Sequence, residues 1–206
     1  MSYPMFAYSS QLQPEEYFYQ DSGVAWRLSS LFLQIVPFEK SDLTFCCIGT
    51  DRSTGDALGP LVGTWLSEHP SFPYEVIGTL QQPLHALNLQ HNIETLQART
   101  IKPYVIAIDA CLGKVEKIGH IVIEKGPLFP GKAVKKELPS IGDLSIKGIV
   151  NIGGFQEYTV LQNTRLQLPY DMGKILSRGL LLAWQRHQMK LIRNSNDDSH
   201  HQNSWQ

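Results

Sequence analysis

Residues 43–60 read LTFCCIGTDRSTGDALGP, and this stretch decides the fold. Its first six residues form an almost unbroken apolar run, which is typical of a strand buried on both faces of a parallel sheet. Gly49 and Gly55 then permit the tight backbone of a strand-to-helix turn. After Asp56, apolar residues recur at the spacing of a helix with one buried face: Leu58, Leu61, Val62, Trp65 and Leu66.

A second segment has the same arrangement of an apolar run followed by an aspartate. Residues 104–110 read YVIAIDA, so Asp109 directly follows a predicted buried strand. Ligands of parallel α/β sheets gather beyond the carboxyl ends of the strands, and we therefore expect Asp56 and Asp109 in one crevice. Two neighbouring carboxylates resist simultaneous ionisation, so one holds a proton while the other acts as a base toward water. This pairing suits hydrolysis of a peptide bond.

Each candidate residue also has a structural explanation. Asp56 fits the N-cap of the following helix, and Asp109 fits the start of a turn. Cys111 is a candidate nucleophile, weighed against inert packing because no histidine partner is identifiable. His85 and His91 lie six residues apart, which is not the i, i+4 spacing of paired metal ligands on a helix. The combination of two strand-end aspartates favours catalysis by that pair.

The order of the predicted elements indicates an α/β fold, a three-layer α/β/α sandwich with a mostly parallel central sheet. A strand near residues 74–79 and a helix from Pro83 to about Arg99 separate the two aspartate segments, as in parallel crossovers. Two further strands are predicted over residues 118–124 and 146–152. The segment between them is rich in proline and glycine, which predicts a long surface loop.

The length of 206 residues and the 42% hydrophobic content indicate one globular domain with a sizeable core. We expect a loose N-terminal leader over residues 1–20, because it lacks helical or strand periodicity. The domain itself is predicted over residues 21–192. Residues 193–206 are polar and low in complexity, so a disordered tail is predicted there.

The charge balance excludes several classes of function. With 18 basic and 19 acidic residues the formal net charge is −1, which provides no electrostatic footprint for nucleic acid or an anionic membrane. No apolar run approaches the roughly 18–20 residues of a membrane helix. The chain begins without the pattern of a signal peptide, and the GxGxxG spacing of a dinucleotide site is absent. We expect a cytoplasmic protein without nucleic-acid partner, membrane partner or organic cofactor.

The two aspartate segments carry a family resemblance. Residues 54–60 and 108–110 resemble the two motifs of the spore germination protease family, which are atypical aspartic-type endopeptidases. More distantly, the layout is similar to that of the hydrogenase-maturation proteases, which share a phosphorylase/hydrolase-like α/β/α fold. The resemblance covers about residues 43–184. By motif it implies that Asp56 and Asp109 are the catalytic aspartates.

Within this superfamily the chain most resembles a smaller family of sporulation proteins from spore-forming bacteria, over most of its length including residues 126–132 and 153–155. The resemblance implies a sporulation-associated peptidase of the forespore or spore core that hydrolyses a protein or peptide, such as a spore-core protein. It leaves substrate, oligomeric state and activation by processing open. The alternative is a non-enzymatic sporulation protein that uses the peptidase fold as a binding or assembly module.

A metal-dependent maturation factor is a third hypothesis. In the hydrogenase-maturation branch a histidine that contacts nickel occupies the position of Asn151. Two carboxylates and an amide form an oxygen-rich set, which suits nickel less well than a set with imidazole. We therefore expect no dedicated metal site.

Overall fold

The computed structural model describes residues 14–130 and 138–202, with side chains up to residue 194. These residues form a six-stranded sheet, whose strands in chain order are β1 (Glu15–Phe18), β2 (Leu43–Cys47), β3 (Glu75–Ile77), β4 (Tyr104–Gly113), β5 (His120–Lys125) and β6 (Leu144–Ile152). Across the sheet the order is β1-β5-β6-β4-β2-β3. Strands β6, β4, β2 and β3 are parallel to one another, and β5 and β1 continue the sheet in antiparallel pairing.

Helices cover both faces of this sheet. They are α1 (Val24–Ile35), α2 (Leu58–Ser67), α3 (Leu89–Gln97), α4 (Glu157–Gln162) and α5 (Gln167–Gln202). Buried side chains of α1, α2 and α5 share one hydrophobic cluster with the sheet, and those of α3 share another on the opposite face. The predicted three-layer α/β/α sandwich with a mostly parallel sheet is confirmed. In the described part of the chain, no helix combines the length and apolar character needed to cross a membrane.

Strand β4 shows how the apolar run divides between the two faces. Ile106 and Ile108 belong to the cluster under α1, α2 and α5, whereas Val105 and Ala107 belong to the cluster under α3. Successive side chains of a strand point to opposite faces, so both faces of β4 are buried. By the same alternation Asp109 lies on the face that α3 covers.

The strand carrying Asp109 is longer than predicted. It continues to Gly113, and Asp109 pairs in register with Lys147 of β6. Asp109 therefore lies inside the strand, and the interpretation that it starts a turn is wrong. The prediction ended the strand at the first charged residue, but β6 supplies backbone pairing beyond that point.

Helix α3 begins at Leu89 rather than near Pro83. The preceding residues are used in other ways: the Leu84 carbonyl accepts the Gly49 N–H at 2.8 Å, and the Asn88 Oδ1 accepts the His85 N–H at 2.8 Å. These bonds hold an extended segment and a turn against β2, so the helix starts only after them.

The predicted boundaries of the domain also differ from the structure. Strand β1 lies in the predicted leader, because it pairs with β5 and its Tyr17 packs against the core. Helix α5 continues through Gln202, well into the predicted tail. No glycine or proline interrupts residues 193–202, so nothing in the sequence ends the helix there. The remaining parts of the predicted leader and tail, residues 1–13 and 203–206, lie outside the described residues.

The predicted surface loop between β5 and β6 is partly buried. Leu128 and Ile141 pair in an antiparallel bridge and both belong to the core on the α3 side. Residues 131–137 of this loop lie outside the described residues. The frequent prolines and glycines predicted an irregular backbone there, but they did not reveal that Leu128 and Ile141 are buried.

We predict that Gly59→Ala destabilises the fold. A Cβ at Gly59 would lie 2.1 Å from the Ile48 carbonyl oxygen, so α2 would have to move away from the end of β2. Alanine is favoured over glycine in a helix by about 1 kcal/mol, but overpacking costs about 1–3 kcal/mol. We expect a lower free energy of unfolding in urea denaturation.

The control is Gly153→Ala, where the nearest atom to a new Cβ is 3.4 Å away. This variant should unfold within about 0.5 kcal/mol of the wild type. A Gly59→Ala protein as stable as the control would contradict the close approach of α2 to β2.

Candidate active site

A tight loop after β2 holds Asp56 over the edge of the sheet. Gly49 has a φ of 137°, and a Cβ there would lie 2.0 Å from the Asp56 carbonyl oxygen. The Thr50 N–H donates to that same oxygen at 3.1 Å. Asp56 ends a single 3₁₀ turn, Thr54–Asp56, just before α2. The loop thus folds back onto its own start and fixes Asp56 beside the end of β2.

Asp56 is not the N-cap of α2. The N-cap position belongs to Ala57, and no side-chain hydrogen bond caps this helix. The capping interpretation of Asp56 is therefore wrong, and its carboxyl group is free for another role.

A chain of hydrogen bonds ties the Asp56 turn to the far side of the sheet edge. The Thr54 hydroxyl donates to the Thr164 carbonyl, and the Asn151 amide donates to the Thr164 hydroxyl at 3.0 Å. The same hydroxyl donates to the Val160 carbonyl in α4 at 2.8 Å. These contacts join the end of β6 and α4 to the 3₁₀ turn, so they set the position of Asp56.

The sequence did not predict these hydrogen bonds between the Asp56 turn and the segment that carries Thr164. Thr54 and Thr164 are 110 residues apart, and no local pattern links them. Sequence reasoning also missed Ser53, which is 7% exposed and whose Oγ has no hydrogen-bond partner in the described structure. Buried hydroxyls of this kind become visible only when the tertiary contacts are known.

The electrostatic environment links the two aspartates. Burial raises the pKa of Asp56 to about 7, and a hydrogen bond from the Thr50 N–H opposes this shift. Burial raises the pKa of Asp109 well above its usual range, and the nearby Asp56 charge raises it further. The fold thus brings the two predicted carboxyl groups into one local environment. Near neutral pH such a pair holds a proton, because two buried charges at close range are unfavourable.

The cysteine alternative finds no support in this environment. Burial raises the pKa of Cys111 to about 12, and the Asp109 charge adds to the effect. The thiol therefore stays protonated at neutral pH, whereas a nucleophilic cysteine needs the thiolate. Lys147 is paired in register with Asp109, but its ammonium group forms an ion pair with Glu124 at 2.5 Å.

The residues do not fit a nickel site. The Asn151 amide nitrogen donates to Thr164, and its oxygen accepts the Ile152 N–H at 2.8 Å, so both polar atoms serve the backbone and loop. Within residues 14–130 and 138–202, no three His, Cys, Asp or Glu side chains come together as metal ligands. His85 lines a cavity beside β3, and His91 is exposed on α3.

Comparison with known proteins gives a family match, a curated relative and a similar solved structure. Residues 16–179 match the family model described as "Protein of unknown function (DUF1256)". The chain is 53% identical to "Uncharacterized protein YyaC" of Bacillus subtilis (strain 168) over 137 residues, which cover 66% of this chain and 67% of that protein. A crystal structure of the [NiFe] hydrogenase maturation protease HycI from Thermococcus kodakarensis KOD1 matches with a TM-score of 0.45 and 19% identity, covering 75% of this chain and 98% of HycI.

We predict that Asp56→Asn changes stability in a pH-dependent way. Between the ordinary aspartate pKa of about 3.9 and the folded value of about 7, the folded protein keeps a proton that the unfolded chain has released. Rising pH therefore lowers the free energy of unfolding of the wild type. Asparagine mimics the protonated acid, so the variant should be more stable at pH 8 by on the order of 2–4 kcal/mol.

At about pH 4 the two proteins should unfold at nearly the same urea concentration, because the side chain is then uncharged or nearly so in both. Asp51→Asn is the control, since Asp51 is exposed in the same loop. An Asp56→Asn variant that is less stable than the wild type at both pH values would show that the carboxylate supports the fold.

Proposed function

The chain belongs to the DUF1256 family, and we propose that it is a peptidase that hydrolyses peptide bonds with Asp56 and Asp109 as a two-aspartate acid–base pair. One observation carries this proposal: burial raises the pKa of two carboxyl groups from separate elements, and the charge of Asp56 raises the pKa of Asp109 further. Strongly perturbed acids that interact in this way are typical of acid–base catalysis.

We propose different roles for the two aspartates, and the directions of their pKa shifts support them. Asp56 has the less perturbed carboxyl group, so it ionises first and serves as the base. The pKa of Asp109 is raised further by the Asp56 charge. Asp109 therefore keeps its proton and serves as the acid. The apparent pKa values belong to the pair as a whole, because the two ionisations depend on each other.

The reaction uses one water molecule and no organic cofactor. Asp56 takes a proton from the water molecule while the water oxygen attacks the carbonyl carbon of the scissile bond. Asp109 donates its proton to the leaving nitrogen as the carbon–nitrogen bond breaks. Asp56 is then protonated and Asp109 ionised, and transfer of one proton between them restores the starting state.

The proposed substrate is a protein or peptide, and the proposed setting is sporulation. The support is the resemblance of residues 54–60 and 108–110 to the motifs of the spore germination protease family. A spore-core protein in the forespore is therefore the first substrate to test. The competing function is a non-enzymatic module with the same fold, because a fold by itself does not establish an activity.

We predict that purified protein produces discrete fragments from a spore-core protein extract, detected by mass spectrometry. Asp56→Asn and Asp109→Asn should each lower the cleavage rate by about 10²–10⁴-fold, because each removes one proton-transfer group. Both variants should remain folded by circular dichroism. Asp51→Asn, an exposed substitution in the same loop, should cleave at the wild-type rate.

If folded wild-type protein yields no fragments between about pH 5 and 9, the peptidase proposal fails and the binding module becomes the better account. Equal loss of cleavage in Asp51→Asn would indicate a loop effect rather than proton transfer by the pair.

We also predict a neutral-to-alkaline pH optimum. The active form has Asp56 ionised and Asp109 protonated, so kcat/KM should rise with an apparent pKa near 7 and fall at higher pH as Asp109 ionises. The measurement is the initial cleavage rate across pH. Maximal activity near pH 4 would contradict the roles assigned to the pair, since both carboxyl groups are then protonated.

A further inference from the structure

A polar cavity of about 400 Å³ lies between strand β3 and the start of α3, separate from the two aspartates. Its walls come from residues 76–79 at the end of β3, the extended segment around Leu84 and His85, and the start of α3, where the N-cap residue Asn88 and Asn92 contribute. Its volume is within the range of cavities that bind small groups.

The backbone connects this cavity to the candidate active site. Leu84 forms a parallel bridge with Ile48, and the Ile48 N–H donates to the Ile108 carbonyl at 2.7 Å. Leu84 and Ile108 are therefore two strand spacings apart, about 10 Å. An extended peptide covers that distance in about three residues. A substrate peptide whose cleaved bond lies at Asp109 can thus reach the cavity.

The outer side of β3 offers backbone pairing to the part of the peptide that reaches the cavity. Strand β3 is the last strand of the sheet, and β2 is its partner on the inner side. In the described parts of the chain no strand pairs with its outer side. An exposed sheet edge can accept an extended peptide as an added strand.

One side chain in the cavity has an unmet hydrogen-bonding capacity. The His85 Nδ1 is buried and has no partner among the described residues. The neighbouring Asn88 amide is already engaged: its oxygen accepts the His85 N–H and its nitrogen donates to the Pro83 carbonyl at 3.0 Å. Asn88 therefore shapes the wall, while the buried His85 Nδ1 is left with an unused hydrogen-bonding site among the described residues.

The lack of charge among the described lining residues indicates which kind of ligand side chain the cavity binds. Among the residues that the structure describes, none that lines the cavity is an aspartate, glutamate, lysine or arginine. A charged side chain would lose its hydration there without gaining an opposite charge, whereas a neutral polar side chain needs only a hydrogen bond.

We propose that this cavity is a peptide-binding subsite that receives an uncharged polar side chain about three residues from the cleaved bond, with His85 as its hydrogen-bond partner. This inference rests on the proposed peptidase function for the identity of its ligand. The peptide crosses the edge of the sheet from Asp109 to the cavity at the end of β3, and His85 contacts the bound side chain without taking part in proton transfer.

The test uses the full-length Asp56→Asn/Asp109→Asn variant labelled with ¹⁵N and titrated with capped hexapeptide pools. One pool carries Ser, Thr, Asn or Gln at a fixed position, a second carries Asp or Glu, and a third carries Lys or Arg. We expect the amide signals of residues 76–79 and 84–92 to shift with the neutral polar pool, at an affinity at least about tenfold tighter than with the charged pools.

His85→Ala in the same background should weaken this binding by about tenfold, which corresponds to one hydrogen bond. His85→Gln keeps a hydrogen-bonding group and should retain more of the affinity. The matched control is His91→Ala, which removes an exposed histidine from the same region and should bind as tightly as the parent. Signal shifts elsewhere, no binding by any pool, or equal binding by His85→Ala and His91→Ala would overturn the subsite.

Cleavage of the tightest-binding pool by otherwise wild-type protein separates the two proposals. His85→Ala should raise KM about tenfold and leave kcat nearly unchanged, as expected for loss of uniform substrate binding. Binding at residues 76–79 without any cleavage supports the subsite and contradicts the peptidase. Cleavage with the same KM in His85→Ala supports the peptidase and contradicts the subsite.

Discussion

The close packing of residues 49–60 against one another and against Ile48 at the end of β2 is the constraint on which the candidate site depends. Gly59 lies against the Ile48 carbonyl, and Gly49 lies against the Asp56 carbonyl, at distances that leave no space for a side chain. These contacts allow α2 to start directly above the sheet edge. Asp56 is consequently held beside the strand that carries Asp109, where burial raises the pKa of both carboxyl groups and the Asp56 charge raises that of Asp109 further.

The same close packing explains why ionisation of the two aspartates lowers the stability of the fold. A buried carboxylate loses hydration, and a second carboxylate close by adds repulsion, so the fold is less stable when both are ionised. The hydrogen bonds of Thr54, Asn151 and Thr164 hold the loop in place despite this cost. Carboxyl groups whose raised pKa values lower the free energy of unfolding are often found at catalytic sites. At such sites the shifted pKa values serve the reaction.

The sequence predicted the two aspartates because each follows an apolar run with turn chemistry nearby, and these signals are local. It placed the end of β4 too early, since the pairing of Asp109 with Lys147 comes from a strand almost 40 residues away. It started α3 too early for the same reason: Leu84 bonds to the backbone of β2 instead of joining a helix. The cavity beside β3 had no sequence signal, because its walls come from three separate segments.

The sequence by itself determined the α/β layering, the parallel crossovers and the place of Asp56 beyond the end of β2, because hydrophobic periodicity and glycine placement act over a few residues. Only the tertiary structure decided that Asp56 does not cap α2, that its charge acts on Asp109, and that the His85 Nδ1 has no partner among the described residues. Ionisation and hydrogen bonding depend on which groups meet across the fold and how much water reaches them, and neither quantity is encoded in local spacing.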